Sequence, residues 1–167
     1  PLFMLAGELM SAGGLSRRLV DFASTLVQHL RGGLAMVTVL AALVFSAISG
    51  SAPATTAAIG AIMIPALVRA GYPVPFAAAL QATAAELGVI IPPSIPMILY
   101  GVTTQTSIPE LFIAGFGPGI LIGGSLIATV LIWCRVKGWG KEDGVGRLSF
   151  PVATRQAGFA LLMTFVV

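Results

Sequence analysis

The chain has 167 residues, of which 57% are hydrophobic and 9% are charged, and its formal net charge is +3. Soluble domains carry about a quarter charged residues, so this composition excludes a soluble protein and predicts an integral membrane protein embedded in a lipid bilayer. The basic residues are spread over short segments beside apolar runs. This distribution favours cytoplasmic loops and argues against a nucleic-acid partner.

Three long apolar runs predict the membrane-crossing segments. Residues 34–68 and 111–134 contain no charged side chain, and residues 72–109 contain one, Glu86. Each run meets or exceeds the ~20 apolar residues that a spanning helix needs. The chain also begins and ends in apolar stretches, interpreted as the end of one transmembrane helix at 1–12 and the start of another at 157–167. No signal-peptide pattern is visible, so we expect an internal piece of a larger membrane protein.

Segment 15–31 has the pattern of an amphipathic helix lying in the membrane interface. Its apolar residues recur at helical spacing, and arginines and other polar residues occupy the opposite face. A helix that binds a partner would carry the same stripe, but the flanking arginines favour the membrane surface. His29, the only histidine, lies near the end of this segment and is interpreted as structural.

Residues 33–70 predict a re-entrant helical hairpin with its tip at 49–53. Two apolar pieces of about 16 residues flank the tip, and at 1.5 Å per residue each is shorter than the ~30 Å hydrocarbon core. Pro53 is predicted at the first position of the second helix, where a missing N–H costs nothing. Arg31 and Arg69 place both ends of the segment on the cytoplasmic side, although two short spans would give the same parity.

The remaining segments predict a discontinuous transmembrane helix at 73–105, a returning transmembrane helix at 108–135 and a cytoplasmic loop at 136–156. The discontinuous helix is broken at 88–96, where three prolines interrupt an apolar run. Cys134 is the only cysteine, which excludes a disulfide framework and a cysteine metal site. No nucleophile, base and orienting residue can be assembled, so we predict no enzyme and no organic cofactor.

The two interruptions, at 49–53 and 88–96, together predict a binding site at membrane depth. Half-helix C-termini present carbonyls that suit a cation, and half-helix N-termini suit a carboxylate. Neutral oxygens are hard ligands that suit sodium rather than a transition metal. The hydroxyl side chains that offer such oxygens are Ser49, Ser51, Thr55, Thr83 and Ser94. The alternative is that one interruption is a small-residue turn and the other a packing kink, but two breaks at matching depth favour a secondary-transporter site.

Glu86 has more than one interpretation. A carboxylate at a helix centre costs roughly 2.5–3.5 kcal/mol on insertion scales, so we expect it to face a bundle interior. It would couple a proton, assist a cation or, when neutral, hydrogen-bond to a neighbouring helix. For Glu86 we favour a structural role, or tuning of the neighbouring site, over direct coupling to transport. Thr83 is a second candidate for coupling or tuning.

These motifs closely resemble the large membrane subunit of tripartite ATP-independent periplasmic (TRAP) transporters, of the DctM type. The residues that carry the resemblance are LAGELM at 5–10, GLSRR at 14–18, SGSAPAT at 49–55, AAIG at 57–60, GVIIPPSIPMILYG at 88–101 and LFIAG at 111–115. The resemblance covers essentially the whole chain. The long segment with two adjacent prolines is its most specific part.

The resemblance implies an all-α, elevator-type, sodium-driven importer of organic acids in the bacterial inner membrane. Such a transporter takes its substrate from a periplasmic substrate-binding protein and works with a small membrane subunit. This chain resembles the first of two inverted halves. The positions implied for the sodium ion are Ser49, Gly50, Ser51, Ala52, Gly88, Ile91 and Pro93, and those implied for the substrate chamber are Ser51, Pro53, Thr55, Pro92 and Ser94.

Three functional hypotheses follow from these patterns. The first is a sodium-coupled importer of C4-dicarboxylate-like acids. The second is a proton-coupled elevator carrier that uses Glu86, and the third is a structural membrane subunit whose helix breaks serve only for packing. Sodium dependence of uptake, and the effect of Glu86→Gln on it, separate the three.

Overall fold

The computed structural model describes Val20, Asp21, Ala23, Ser24, Val27 and residues 32–139. Within these residues the fold consists of helices and irregular segments, with no strand. The helices are α1 (Gly33–Ser49), α2 (Ala52–Arg69), α3 (Val74–Ala85), α4 (Leu87–Ile90), α5 (Ile95–Thr104) and α6 (Ile108–Lys137). The predicted segments at 1–12 and 157–167, and the predicted loop beyond Trp139, lie outside the described residues.

Three helical stretches of the described chain are long and apolar enough to cross a membrane: Ala52–Arg69, Val74–Thr104 and Ile108–Lys137. Helix α1 is apolar but shorter, at 17 residues. The prediction of an all-α integral membrane protein is therefore confirmed.

Helices α1 and α2 form a hairpin joined by a two-residue turn. Gly50 ends α1 in the left-handed conformation, with φ 60°, and its N–H donates to the carbonyl of Ser46 at 2.8 Å. Ser51 caps α2, because its side-chain oxygen accepts from the N–H of Ala54 at 3.4 Å. Helix α2 begins at Ala52, one residue earlier than predicted, and Pro53 stands in its first turn.

The run from α3 to α5 is interrupted in two stages. Helix α3 ends at Ala85, a turn at Glu86 follows, and the single-turn helix α4 continues to Ile90. Only residues 91–94 are irregular, with a cis peptide bond between Pro92 and Pro93. The break is narrower than the predicted 88–96, because Gly88 remains helical and the next helix already begins at Ile95, with Ser94 at its N-cap position.

Helix α1 lies at the centre of the molecule and is buried along nearly its whole length. Met36 packs with α3 and α6 residues in one apolar cluster, and Phe45 packs with α2 residues in another. Both side chains are at most 1% exposed. Ala23, from the predicted interfacial helix, packs into the second cluster, so this part of segment 15–31 contacts the hairpin.

An aromatic cluster gathers the helix ends at one face of the molecule. Trp139, just after α6, lies 6.2 Å from the ring of Tyr72 and 5.2 Å from that of Phe76. Tyr72 follows α2, and Phe76 lies in the first turn of α3. The end of α2, the start of α3 and the end of α6 therefore share one face, where the basic residues Arg69, Arg135 and Lys137 also occur.

The hairpin is short relative to α6. Helix α6 has 30 residues, about 45 Å at 1.5 Å per residue, whereas α1 has 17, about 25 Å. The start of α1 lies against the end of α6, because a methyl group at Gly32 would be 2.8 Å from Cβ of Cys134. The hairpin tip therefore ends partway along α6, at the level of the break between α4 and α5.

Candidate ion and substrate site at two helix interruptions

The hairpin tip and the helix break meet through their backbones. The N–H of Ile95, the first residue of α5, donates to the carbonyl of Gly50 at 3.2 Å. A methyl group at Gly50 would lie 2.7 Å from the carbonyl oxygen of Pro93. The left-handed φ of Gly50 and this close approach both require glycine. The structure thus brings together the two interruptions that are 40 residues apart in the sequence.

Gly88 makes a second contact between these elements. A methyl group on Gly88 would lie 2.8 Å from the hydroxyl oxygen of Ser46 and 3.6 Å from the backbone nitrogen of Ala52. The absence of a side chain on Gly88 therefore lets α4 pack directly against the end of α1 and the start of α2. Three of the predicted cation positions, Gly50, Ala52 and Gly88, lie in this one region.

Thr55 is the centre of a hydroxyl cluster inside the hairpin. Its Oγ1 donates to the carbonyl of Ser51 at 2.9 Å and lies 3.0 Å from Oγ of Ser46 and 3.3 Å from Oγ of Ser49. Thr55 is 0% exposed. The side chain lies between the two hairpin arms, and a role for Thr55 in the substrate chamber stays a prediction.

The helix ends at this site present complementary partial charges. Helix α1 ends at Ser49 and α4 at Ile90, so their last carbonyls lie near the junction, and α2 and α5 begin there with their first N–H groups. Carbonyl ends favour a cation and N–H ends favour an anion. Within the described residues no three His, Cys, Asp or Glu side chains form a metal-binding group. The oxygens that the structure places at this junction are backbone carbonyls and the hydroxyls of Ser46, Ser49 and Thr55, all of them neutral.

The other predicted residues of the break have separate surroundings. The Ser94 hydroxyl is buried and donates to the carbonyl of Val89 at 2.6 Å, which stabilises the break. Pro92 and Pro93 are half-buried, and Pro53 is exposed beside the tip. The side chain of Ile91 points to α6, where a methyl group at Gly119 would lie 2.6 Å from its Cγ1.

Glu86 and Thr83 lie outside the hydroxyl cluster. Glu86 is exposed on the surface of the described chain, so the interior position predicted for it depends on elements beyond these residues. Thr83 is also exposed, and its hydroxyl donates to the carbonyl of Ala79 at 2.9 Å. It lines an apolar groove between α3 and α6, with Thr129 and Trp133 on the opposite wall.

Two features of the site were not predicted. Gly115, Gly119 and Gly123 form a buried stripe on α6, and a methyl group at Gly115 would lie 2.5 Å from the carbonyl oxygen of Ile90. Their four-residue spacing is the sequence signal for close packing of membrane helices. The second feature is Gln81, a fully buried amide on α3 whose Nε2 donates to the carbonyl of Thr55 at 3.4 Å.

The described chain has apolar helices of spanning length, a helical hairpin and a discontinuous helix, and the hairpin tip meets the helix break at mid-length. These features define a multi-pass membrane protein built like the core of a secondary transporter. The sequence profile of the family described as "Tripartite ATP-independent periplasmic transporter, DctM component" matches residues 1–167. The chain belongs to this family, as its motifs predicted. The family is one of transporter components of the bacterial inner membrane, which also agrees with the prediction that the chain is not an enzyme.

Individual relatives carry several names within this family. The chain is 45% identical, over 167 residues, to the C4-dicarboxylate TRAP transporter large permease protein DctM of Pseudomonas aeruginosa, covering all of this chain and 39% of the relative. It is 45% identical over 168 residues to the isethionate TRAP transporter permease protein DctMQ of Oleidesulfovibrio alaskensis, covering 100% of this chain and 26% of the relative. It is 50% identical over 129 residues to the 2,3-diketo-L-gulonate TRAP transporter large permease protein YiaN of Escherichia coli, covering 77% of this chain and 30% of the relative. The chain thus spans well under half the length of these relatives.

Proposed function

We propose that this chain forms half of the transport core of a sodium-coupled importer of organic acids. The observation that carries the proposal is the contact between the two interruptions, where the carbonyl of Gly50 accepts from the N–H of Ile95. Two helix C-termini and two helix N-termini converge there. A sodium ion is held at the carbonyl ends, and an organic anion binds next to it at the N–H ends.

The cation site consists of neutral oxygens around the hairpin tip. Its members are Ser49, Gly50, Ser51, Ala52, Gly88, Ile91 and Pro93. A methyl group at Gly88 would lie 3.6 Å from the backbone nitrogen of Ala52, and Pro93 directs its carbonyl oxygen at Gly50. Uncharged oxygen ligands favour a hard monovalent cation. The Thr55 hydroxyl lies next to this site inside the hairpin and holds Ser46 and Ser49 in place through hydrogen bonds.

The substrate is an organic anion, with a C4-dicarboxylate as the leading candidate. The relatives described above are named for a C4-dicarboxylate, isethionate and 2,3-diketo-L-gulonate, all of which are organic acids. In this chain Pro53 and Pro92 border the chamber, and Ser51, Thr55 and Ser94 are buried behind its surface, where their hydroxyls shape the tip and the break. The opposite wall comes from a second half of the protein.

The hairpin is re-entrant, and transport follows an elevator mechanism. The tip of α1 and α2 ends at the level of the break in α3–α5, whereas α5 and the start of α6 extend beyond it. A backbone hydrogen bond and a close glycine contact join the tip to the break, so both interruptions move as one body. The complete transporter also contains a small membrane subunit and receives its substrate from a periplasmic binding protein.

Uptake by the complete transporter in proteoliposomes tests the proposal. We expect C4-dicarboxylate uptake, with the binding protein present, to require an inward sodium gradient and to stop when choline replaces sodium. The competing hypothesis of a structural subunit predicts no uptake, and the hypothesis of proton coupling predicts uptake that follows a pH gradient. Equal uptake in sodium and in choline would refute sodium coupling.

Glu86→Gln separates sodium coupling from proton coupling. The side chain is exposed on the described chain and lies outside the hydroxyl cluster, so we expect the variant to retain sodium-driven uptake with an unchanged sodium activation curve. Measured sodium and pH dependences of uptake check this prediction. Loss of transport together with loss of its pH dependence would instead make Glu86 the proton-coupling residue.

A further inference from the structure

Gln81 is a polar side chain in an otherwise apolar interface. It is 0% exposed, and the other buried residues of α3 are alanines and a leucine. Burial of an amide in a membrane interior is unfavourable unless its polar atoms find partners. An apolar side chain of similar length would fill the same space without this cost. The amide is therefore present for a specific contact.

That contact joins α3 to the first turn of α2. Nε2 of Gln81 donates to the backbone carbonyl of Thr55 at 3.4 Å, across 26 residues of sequence. Oε1 has no hydrogen-bond partner within the described residues. The amide is thus held by one bond, and that bond reaches the residue whose hydroxyl connects Ser46 to the carbonyl of Ser51.

Gly60 makes room for the amide. A methyl group at Gly60 would lie 3.2 Å from Cγ and 3.7 Å from Cδ of Gln81. A methyl group at position 60 would therefore require the side chain of Gln81 to shift by a few tenths of an ångström, which strains its 3.4 Å bond to the Thr55 carbonyl. Glycine at 60 and glutamine at 81 act together, because one provides the space that the other fills.

We propose that Gln81 is a positioning residue for the candidate cation site. It holds the first turn of α2 against α3, and it acts through Thr55 on the hydroxyls of Ser46 and Ser49 at the hairpin tip. Gly88 against Ser46 and Ile95 bonded to Gly50 brace the same tip further along the discontinuous helix. The proposal rests on the proposed sodium-coupled function and assigns Gln81 no contact with ion or substrate.

Sodium activation of uptake by the complete transporter provides the first test. In Gln81→Met, which keeps the length of the side chain but removes the donor, we expect the half-saturating sodium concentration to rise about fivefold, the scale of one hydrogen bond. The substrate KM at saturating sodium should stay unchanged. Thr129→Val is the matched control, because the Thr129 hydroxyl is exposed and bonds only within α6 in the described structure, to the carbonyl of Ser125 at 2.8 Å. An unchanged sodium requirement in Gln81→Met would overturn the proposal.

Gly60→Ala tests the same contact from the opposite helix. We expect it to raise the half-saturating sodium concentration in the otherwise unchanged protein and to have no further effect when Gln81 is also alanine, because no Cγ is then left to displace. Equal effects in both backgrounds would show that Gly60 acts independently of Gln81 and would count against the proposal.

Hydrogen exchange separates failure of this inference from failure of the proposed function. If uptake by the wild-type transporter does not depend on sodium, the proposed function is wrong. The positioning role of Gln81 is then tested only by the rate of amide exchange at the hairpin tip. Gln81→Met should speed amide exchange in a peptide covering residues 49–55 and leave peptides from α6 unchanged. Unchanged exchange at the tip, or a uniform increase across the protein, would reject the positioning role.

Discussion

Single residues at the junction divide into those that permit close approach and those that form hydrogen bonds. Gly50 and Gly88 have no side chain where the neighbouring backbone or hydroxyl comes within 3 Å of the position of a Cβ atom. Ser46, Ser51 and Thr55 supply the hydrogen bonds that hold the tip together. Close backbone approach and satisfied hydroxyls are both needed, because no water in the hydrocarbon region can satisfy freed backbone groups.

Gly50→Ala is expected to weaken both the fold and sodium binding. The substitution places a side chain in the left-handed region, which costs about 1–2 kcal/mol, and pushes a methyl group to 2.7 Å from the carbonyl oxygen of Pro93. Thermal unfolding in detergent and the sodium activation curve measure the two effects.

Gly71→Ala is the matched control for Gly50→Ala. Gly71 has φ 86°, but nothing lies within 4 Å of a methyl group there, so only the backbone cost applies. We expect a lower melting temperature with an unchanged sodium requirement. If both variants shift the sodium requirement equally, the contact between Gly50 and Pro93 has no part in ion binding.

At the scale of helices, α6 supports the break through its glycine stripe. Gly115 lies against the carbonyl of Ile90, Gly119 against the side chain of Ile91, and Gly123 near Leu43 and Leu87. The stripe lets a continuous helix pack at close range on a discontinuous one. The remaining surface of α6 is largely apolar and exposed, including Ile113, Ile120 and Leu121, as expected for contact with lipid or with another apolar element.

Gly115→Ala is expected to destabilise the packing of α6 on the break. The added methyl group would lie 2.5 Å from a backbone oxygen that cannot rotate away, and such overpacking costs about 1–3 kcal/mol. Gly117→Ala on the same helix meets nothing within 4 Å and should leave stability unchanged or slightly raised. Melting temperature and the yield of monodisperse protein compare the two; equal behaviour would contradict the role of the stripe.

At the scale of the whole molecule, the helix ends define two faces. Tyr72, Phe76 and Trp139 gather the end of α2, the start of α3 and the end of α6 on the face that carries the basic residues. The turn between α5 and α6, at residues 105–107, lies at the opposite ends of these helices. The distribution of positive charge predicts that the basic face is cytoplasmic.

Cysteine labelling in intact cells tests this orientation. Val74 and Thr106 are exposed positions near the two faces, and single cysteines there, in a Cys134→Ala background, report opposite sides of the membrane. We expect a membrane-impermeant maleimide to label Thr106→Cys from outside and Val74→Cys only after permeabilisation. Labelling of both positions from the same side would contradict a crossing by α3–α5.

The sequence predicted much of the element order for identifiable reasons. Prolines and glycines mark the tip and the break, because Pro53, Pro92 and Pro93 cannot donate a backbone N–H and Gly50 tolerates a left-handed conformation. The exact start of α2 depends on capping by Ser51, and the narrow limits of the break depend on the bond from the Ser94 hydroxyl back to Val89; sequence patterns locate such boundaries only to within a few residues. The buried direction of Thr55 and of Gln81 was not predictable, because alanines and other apolar residues occur on all sides of α2 and α3 and leave no distinct polar face.

The sequence by itself determined the membrane class, the family, the hairpin and the discontinuous helix, because long apolar runs, proline positions and family motifs are local properties of the chain. Only the tertiary structure decided that the tip and the break touch, that Thr55 points inside the hairpin, that Gln81 reaches its carbonyl and that Glu86 stays apart. These facts depend on how helices distant in sequence rotate and approach one another. Glycines on α4 and α6 set the distances between these helices through packing. Such distances depend on contacts between segments, and the sequence of one segment alone does not specify them.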